Sequence, residues 1–265
     1  DTLFIVEPLF WLALAPLYST LQARGARLLL GLTLGAGCIA LLAFHGFAPA
    51  WWSLPVMTLL LVRVGRSLVP RAASLAAIGL LFVVVGVFSV SHAVVTRRVG
   101  ALAAGQFPAA TVLDMVLSPA PAHPFCWDVI LLQREQQDYV ARRGQLSLMA
   151  ESGSACSRGL NGAGTAPLRS MNRPVEQGMR WSGEYTMEVQ PLVRLAGSNC
   201  DTRRLASFLR APFAARSEKG WIIGDLRYDR ETGPGFTELL VEPGAATQCE
   251  KASPWVPPRR DLGME

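Results

Sequence analysis

The stretch from Ser74 to Val95 contains 22 residues and no aspartate, glutamate, lysine or arginine. As a helix rising about 1.5 Å per residue it would be about 33 Å long, which is enough to cross the hydrocarbon core of a bilayer. The sequence before it holds further apolar runs, whereas the sequence after it has the mixed composition of a water-soluble domain. This stretch therefore predicts a chain that is partly embedded in a membrane and partly soluble.

The charges are distributed unevenly between the two halves. Residues 1–100 carry seven arginines and two acidic residues, whereas residues 101–265 carry 18 basic and 18 acidic residues. The positive excess therefore belongs to the apolar half, where basic residues set the orientation of membrane spans. The second half is net neutral and has no basic stripe of the kind that binds nucleic acid. We therefore expect the lipid bilayer as a partner and no nucleic acid.

Four apolar segments within residues 1–98 predict transmembrane helices. They run from about residues 8 to 24, 28 to 47, 52 to 69 and 74 to 95. The first and third connecting loops are basic and the second is uncharged, so the positive-inside rule places the C-terminal domain on the outer side. Arg97 and Arg98 after the last span argue against this orientation, with two charges against five. Arg63 and Arg66 lie near one end of the third span, where snorkelling to the headgroups and an intramembrane functional role are both open.

Four of the five cysteines lie in the second half of the chain: Cys126, Cys156, Cys200 and Cys249. Their spacing matches no zinc motif, because the chain contains no pair of cysteines separated by two residues. Disulfides of an oxidising compartment fit this pattern with three possible pairings, and free buried thiols are the alternative. With the charge pattern, this predicts a multi-pass protein of a bacterial inner membrane whose C-terminal domain is periplasmic.

The second half has the pattern of a small α+β domain with an antiparallel sheet. We predict strands at residues 125–132, 138–148, 180–189, 220–228 and 235–242, and a helix at 202–209 capped by Asp201. Prolines interrupt the sequence before this domain and after it. The predicted organisation is a polytopic α-helical membrane domain of about four transmembrane helices (1–98), a linker (99–124), a soluble α+β domain (125–251) and a disordered tail (252–265).

One group of side chains could carry metal chemistry. On the predicted topology Asp1, Glu7, His45 and His92 all lie toward the outer side of the membrane domain. Carboxylates and imidazoles that converge at one membrane face could bind a divalent metal such as zinc, and independent positions in the headgroup region are the alternative. His123 lies among prolines and is predicted to be a solvated loop residue.

The opening residues DTLFIVEPLFWL resemble a motif of the membrane-bound metal-dependent hydrolases, which are also described as LexA-binding, inner-membrane-associated hydrolases. The pattern of that family is Asp-Thr/Ser-x-Phe-Ile-x-Asp-Pro-Leu-Tyr, so Glu7 replaces an aspartate and Phe10 a tyrosine. Further spans, then PAPAHPFCWDVILL, then RRLASFLRAPF, GWIIGDLRY and GFTELLVE follow in the family's order. The family's His-Arg-Gly-x-Thr-His-Ser segment is absent, and we expect the chain to be a fragment that lacks it.

The resemblance implies that Asp1 and Glu7 are ligands of a divalent metal or support its ligands, with the histidine ligands outside this sequence. Metal-bound water would then attack a phosphoester or acyl bond of a membrane-associated substrate. The fragment alone is expected to be inactive. The alternative hypothesis is a non-catalytic, membrane-anchored binding or scaffold module. A transporter fragment is disfavoured, because no predicted span is interrupted by charged residues at mid-depth.

Overall fold

The computed structural model describes residues 8–19, 25–26, 31, 58, 60–63, 69–120, 123–149, 156, 167–228 and 238–242. The helices in this part of the chain are α1 (Pro8–Leu14), a 3-10 helix (Ala15–Ser19), α2 (Pro70–Gln106), α3 (Val189–Ser198) and α4 (Cys200–Phe208). The strands are β1 (Thr111–Ala120), β2 (His123–Glu135), β3 (Asp138–Ser147), β4 (Arg169–Ser170), β5 (Met179–Glu188), β6 (Pro212–Ser217), β7 (Gly220–Asp225) and β8 (Leu239–Val241).

Helix α2 has 37 residues and is therefore about 55 Å long. It begins with Pro70 in its first turn, where the missing N–H of proline costs nothing. One face of α2 is buried over its second half, through Phe88, Val95 and Val99. Ala73 and Ala77 near its start are also buried, but many apolar side chains on the rest of its surface are exposed, including Phe82 at 73%. The same helix thus combines a face in the protein core with a long apolar surface outside it.

The predicted membrane domain of about four transmembrane helices is wrong. In the described part of the chain, α2 is the one helix long and apolar enough to cross a membrane. The predicted first span becomes the seven-residue helix α1 and then a 3-10 helix, since Pro16 has no N–H with which to continue the α-helical pattern. The second predicted span lies outside the described residues except for residue 31, and only residues 58, 60–63 and 69 of the third are described. Apolar composition does not by itself separate a bilayer span from a segment buried in protein.

Five strands form an antiparallel sheet in the order β1-β2-β3-β5-β4. Residues 99–124, which the sequence analysis assigned to a linker, contain the end of α2, strand β1 and the start of β2. Pro119 lies within β1, where it pairs with Trp127. A proline is tolerated there because β1 is an edge strand.

The two faces of this sheet are covered by different partners. Alternate side chains of β2 point to opposite faces. Trp127, Val129 and Leu131 belong to a core that also contains the buried face of α2. Ile130 and Leu132 belong to a second core, which includes side chains from α3 and from the strands of a second sheet. The five-stranded sheet is therefore the middle layer of the fold.

The second sheet is antiparallel, in the order β6-β7-β8. Helix α4 precedes it and begins at Cys200, because the Asn199 side chain accepts a hydrogen bond from the Thr202 backbone N–H at 2.9 Å. The predicted cap, Asp201, is instead in the first turn of α4. The predicted tail, 252–265, lies outside the described residues.

A disulfide joins Cys126 in β2 to Cys156, with the two Cα atoms 5.6 Å apart. Cys200 is also disulfide-bonded. The prediction of disulfides rather than free thiols is therefore confirmed for these three cysteines. The Cys126–Cys156 bond and Ala120 form a small buried cluster at the end of the β1–β2 hairpin.

Gly144 lies in β3 where this strand closely approaches its neighbour β5. A Cβ atom at this position would lie 2.5 Å from Met179 Cε and 2.6 Å from the carbonyl oxygen of Arg180. We predict that Gly144→Ala lowers the free energy of unfolding by about 1–3 kcal/mol, because the two strands must separate to admit the methyl group. Denaturant unfolding of the purified chain, followed by tryptophan fluorescence, measures this change.

Gly197 provides the matched control, because it lies in α3 and a Cβ there would meet nothing within 4 Å. Gly197→Ala is expected to raise the free energy of unfolding by about 0.5–1 kcal/mol through helix propensity. Equal effects of the two substitutions would contradict the close approach of β3 and β5.

Candidate functional site

The structure does not assemble the predicted metal site from the residues it describes. Asp1, Glu7 and His45 lie outside the described residues. His92 lies in α2, where its ring packs edge-on against Trp127 with 5.6 Å between ring centroids. Within the described ranges, no three His, Cys, Asp or Glu side chains are grouped so that they could hold a metal ion.

His123 is the first residue of β2 and is not the solvated loop residue that the sequence analysis predicted. Its Nε2 lies 3.9 Å from the Sγ atom of Cys126, and its Nδ1 is buried without a hydrogen-bond partner. Burial lowers the pKa of His123 below its usual value. The ring is therefore neutral at neutral pH and lies beside the disulfide.

The most concentrated polar chemistry lies between the two sheets. Arg210, which follows α4, donates from Nε to Asp114 Oδ2 of β1 at 2.9 Å. The backbone N–H of Arg210 donates to Asp225 Oδ2 at 2.8 Å. One arginine thus links the edge strand of the first sheet to the end of β7 in the second.

Asp225 is nearly completely buried. Besides Arg210, it accepts hydrogen bonds from the backbone N–H of Arg227 at 2.9 Å and from the Arg227 guanidinium at 2.8 Å. Burial alone would lower the pKa of Arg227, but the hydrogen bond and the charge of Asp225 outweigh it and raise the pKa. The Arg227 guanidinium therefore remains charged beside the Asp225 carboxylate.

A second ion pair lies within the five-stranded sheet, on the face that meets this junction. Arg143 in β3 is 1% exposed, and its guanidinium donates to Asp128 Oδ2 in β2 at 3.0 Å. It also donates to the carbonyl oxygen of Leu226 at 3.5 Å. Leu226 lies between Asp225 and Arg227. The Arg143–Asp128 pair and the Asp225–Arg227 pair therefore meet at one short segment at the end of β7.

Arg142, the neighbour of Arg143, points to the opposite face of the sheet. Its guanidinium lies over the ring of Phe107, 3.9 Å from the ring centroid, just beyond the end of α2. It also pairs with Glu135 and with Glu184, each at 2.6 Å. Two consecutive arginines thus fix α2 on one face and the second sheet on the other.

Tyr185 of β5 provides a further contact between the sheets. Its hydroxyl donates to the carbonyl oxygen of Ala214 at 2.6 Å and accepts from the backbone N–H of Ala214 at 2.9 Å. Burial raises the pKa of Tyr185 to about 12. The hydroxyl is therefore a neutral bridge between β5 and β6.

These polar groups were missed by sequence reasoning, which looked for metal ligands and nucleophiles. A signal was present: Asp128, Arg142 and Arg143 lie within segments predicted to be strands of a soluble domain. A charged residue at an inward position of a strand needs a buried partner. The partners are far apart in sequence, so pattern alone could not identify them. The resulting arrangement joins layers of the fold through matched charges.

Asp128→Ala should lower the free energy of unfolding by about 3–5 kcal/mol, because it leaves the Arg143 charge buried without this carboxylate. The double variant Asp128→Leu/Arg143→Met should regain most of the stability that Asp128→Ala loses, since apolar groups then replace both members of the pair. Glu218→Ala, at an exposed carboxylate in the β6–β7 turn, should change stability by less than about 0.5 kcal/mol. Denaturant titration measures all variants, and an Asp128→Ala effect as small as that of Glu218→Ala would contradict the role of the pair.

Tyr185→Phe should lower the free energy of unfolding at pH 8 by about 1–3 kcal/mol, because both polar groups of Ala214 lose their partner. A tyrosine ionises at about pH 10 in the unfolded chain, whereas Tyr185 ionises near 12 in the folded one. Its stabilisation is therefore complete below pH 10 and is lost as the pH rises to about 12. Unfolding measured across this range should show a smaller alkaline loss in Tyr185→Phe than in Tyr228→Phe, and equal losses would contradict this assignment.

Comparison of the chain with protein-family models, with curated proteins and with solved structures finds no match. The resemblance to membrane-bound metal-dependent hydrolases therefore stays a prediction, and the fold and its polar contacts are the basis for the functional argument.

Proposed function

We propose that this chain is a membrane-anchored binding or scaffold module, in which α2 holds a non-catalytic α+β domain at the outer surface of a membrane. The observation that carries the proposal is the continuity of α2. One unbroken helix has an exposed apolar surface in its first half and a face buried against the five-stranded sheet in its second. An anchor and the core of a domain are thus parts of a single element.

The exposure of α2 favours a membrane helix over the core helix of a soluble domain. Only 17% of its most apolar 18-residue window is buried. Leu75 and Val90 are among the exposed apolar side chains, together with Phe82. Leaving such a surface in water would forgo about 25 cal/mol for each Å² of apolar area. A bilayer would remove this surface from water.

Two features support the outer side of the membrane as the location of the domain. In the sequence, Arg63, Arg66 and Arg71 precede the apolar stretch of α2 and only Arg97 and Arg98 follow it, so the larger arginine group is at the end that the positive-inside rule assigns to the cytoplasm. The disulfide between Cys126 and Cys156 belongs to an oxidising compartment. Arg98, at the other end of the apolar stretch, is used by the domain itself, since it donates to the carbonyl oxygen of Gln177 at 3.4 Å.

The scaffold role is supported by how the charged groups are used. Arg142 fixes the sheet to the end of α2, and Arg143 fixes it to the segment that follows β7. The three layers are therefore connected by specific contacts as well as by apolar packing. A domain of this kind presents a fixed surface at a defined position relative to its anchor.

The hydrolase hypothesis stands beside this proposal on the resemblance alone. It requires a divalent metal and predicts that Asp1→Ala and Glu7→Ala reduce metal content. Metal analysis of the longest form of the protein that is expressed, purified in mild detergent, separates the two hypotheses. Stoichiometric metal that is lost in both variants would favour the hydrolase.

Reporter fusions test the proposed orientation. Alkaline phosphatase, which needs disulfides and is active only outside the cytoplasm, is fused after residue 265, and a green fluorescent protein is fused at the same position in a parallel strain. We predict an active phosphatase and a dark fluorescent protein in membrane fractions. An inactive phosphatase with a bright fluorescent protein would overturn the orientation, and both reporters in the soluble fraction would overturn the anchor.

A further inference from the structure

We propose that one end of strands β1, β2 and β3 rests in the interfacial layer of the bilayer, with Phe125 and Met149 as its lipid contacts. We call this the uncharged end, and it comprises residues 119–120, 123–127 and 146–149. The proposal rests on the proposed membrane anchoring of α2 and names a second surface that contacts lipid.

The direction in which β1 and β2 run along α2 shows which part of the helix lies beside the uncharged end. Met115 Cε lies 3.9 Å from where a Cβ on Gly100 would be, and the ring of Trp127 packs against His92. Met115 pairs with Leu131. Leu131 is therefore level with Gly100 of α2, and Trp127 is level with His92. Residues nearer the start of β2 therefore lie beside residues nearer the start of α2.

The same spacing extends to the exposed part of α2. Two strand residues before Trp127 cover about 6–7 Å, which equals about four residues of helix. This brings Phe125 to the level of Phe88. Leu148 supports this placement, because its backbone N–H donates to the carbonyl oxygen of Phe125 at 2.8 Å, and because its side chain packs in the same core as Phe88.

The length of a membrane span indicates that Phe88, and Phe125 beside it, lie close to the bilayer surface. A span needs about 20 residues, and the uncharged part of α2 begins after Arg71. The hydrocarbon layer therefore extends to about residue 91, even when the span begins directly after that arginine. Since α2 packs on the sheet from Phe88 onward, the uncharged end of the sheet lies within the interfacial layer.

The composition of the sheet agrees with this placement. The described residues of the uncharged end include no aspartate, glutamate, lysine or arginine. Phe125 is 38% exposed and Met149 is 69% exposed. The opposite end carries Arg134, Glu135 and Asp138 around the β2–β3 turn. Strands β1, β2 and β3 thus have an uncharged end toward the membrane and a charged end away from it.

Spin labelling of the full chain in phospholipid nanodiscs tests the proposal. A nitroxide is attached to Met149→Cys, to Phe82→Cys in the exposed part of α2, and to Gln137→Cys in the β2–β3 turn. Labelling without reductant preserves the disulfides, and the unsubstituted chain carried through the same procedure gives the background. Collision rates with oxygen, which concentrates in lipid, are compared with those for a water-soluble nickel chelate.

Phe208→Cys is the matched apolar control, because Phe208 is 67% exposed on α4, a helix associated with the other core of the sheet. We expect oxygen collisions to exceed nickel collisions at Met149 and Phe82, and the reverse at Gln137 and Phe208. The oxygen-to-nickel ratio at Met149 should exceed that at Phe208 several-fold.

The remaining outcomes separate this inference from the anchoring on which it rests. A lipid signal at Phe82 with an aqueous signal at Met149 would overturn the contact of the uncharged end and leave the anchor intact. An aqueous signal at Phe82 would overturn both. Equal lipid signals at Met149 and Gln137 would overturn the proposed orientation of the sheet, because its two ends would then lie in the same environment.

Discussion

The packing of α2 against the five-stranded sheet is the contact on which the rest of the structure depends. The helix supplies Phe88, Val95 and Val99 to a core that the sheet completes with Trp127 and Leu131. A sheet of this size with one bare apolar face would be unstable in water. The same helix has an exposed apolar surface beyond that core. The fold of the domain and its proposed attachment to a membrane therefore rely on a single element.

Buried charges connect the remaining layer to this one. Arg143 and Asp128 lie on the face that meets the second sheet, where Asp225 and Arg227 form a neighbouring pair. Charges buried in this way contribute little net stability compared with apolar side chains of similar size, but removing one member of a pair is costly. Across the layers, Arg143 donates to the carbonyl oxygen of Leu226 and Arg210 bonds to both Asp114 and Asp225, so specific polar contacts as well as apolar packing join the two sheets.

The sequence predicted the strands whose side chains alternate and whose turns are clear. The segments predicted at 125–132 and 138–148 correspond to β2 and β3. It did not predict β1, because Pro119 reads as a breaker until the strand is known to lie at the edge of the sheet. The sequence predicted too many membrane spans. An apolar segment is expected to be buried, but its composition does not show whether lipid or protein surrounds it. The ion pairs were also missed, since Asp114 and Arg210 are 96 positions apart and only the folded chain brings them together.

The absence of a break between the two parts of α2 has a mechanical consequence. The helix runs from Pro70 to Gln106 without interruption, so the domain turns with it as one body. Membrane helices commonly tilt by about 20°, which moves a point 30 Å away along the lever by about 10 Å. The charged end of the sheet would sweep through such a distance as the bilayer thickens or thins. Bilayer thickness would thereby set how far the outermost surface of the domain is displaced sideways over the membrane.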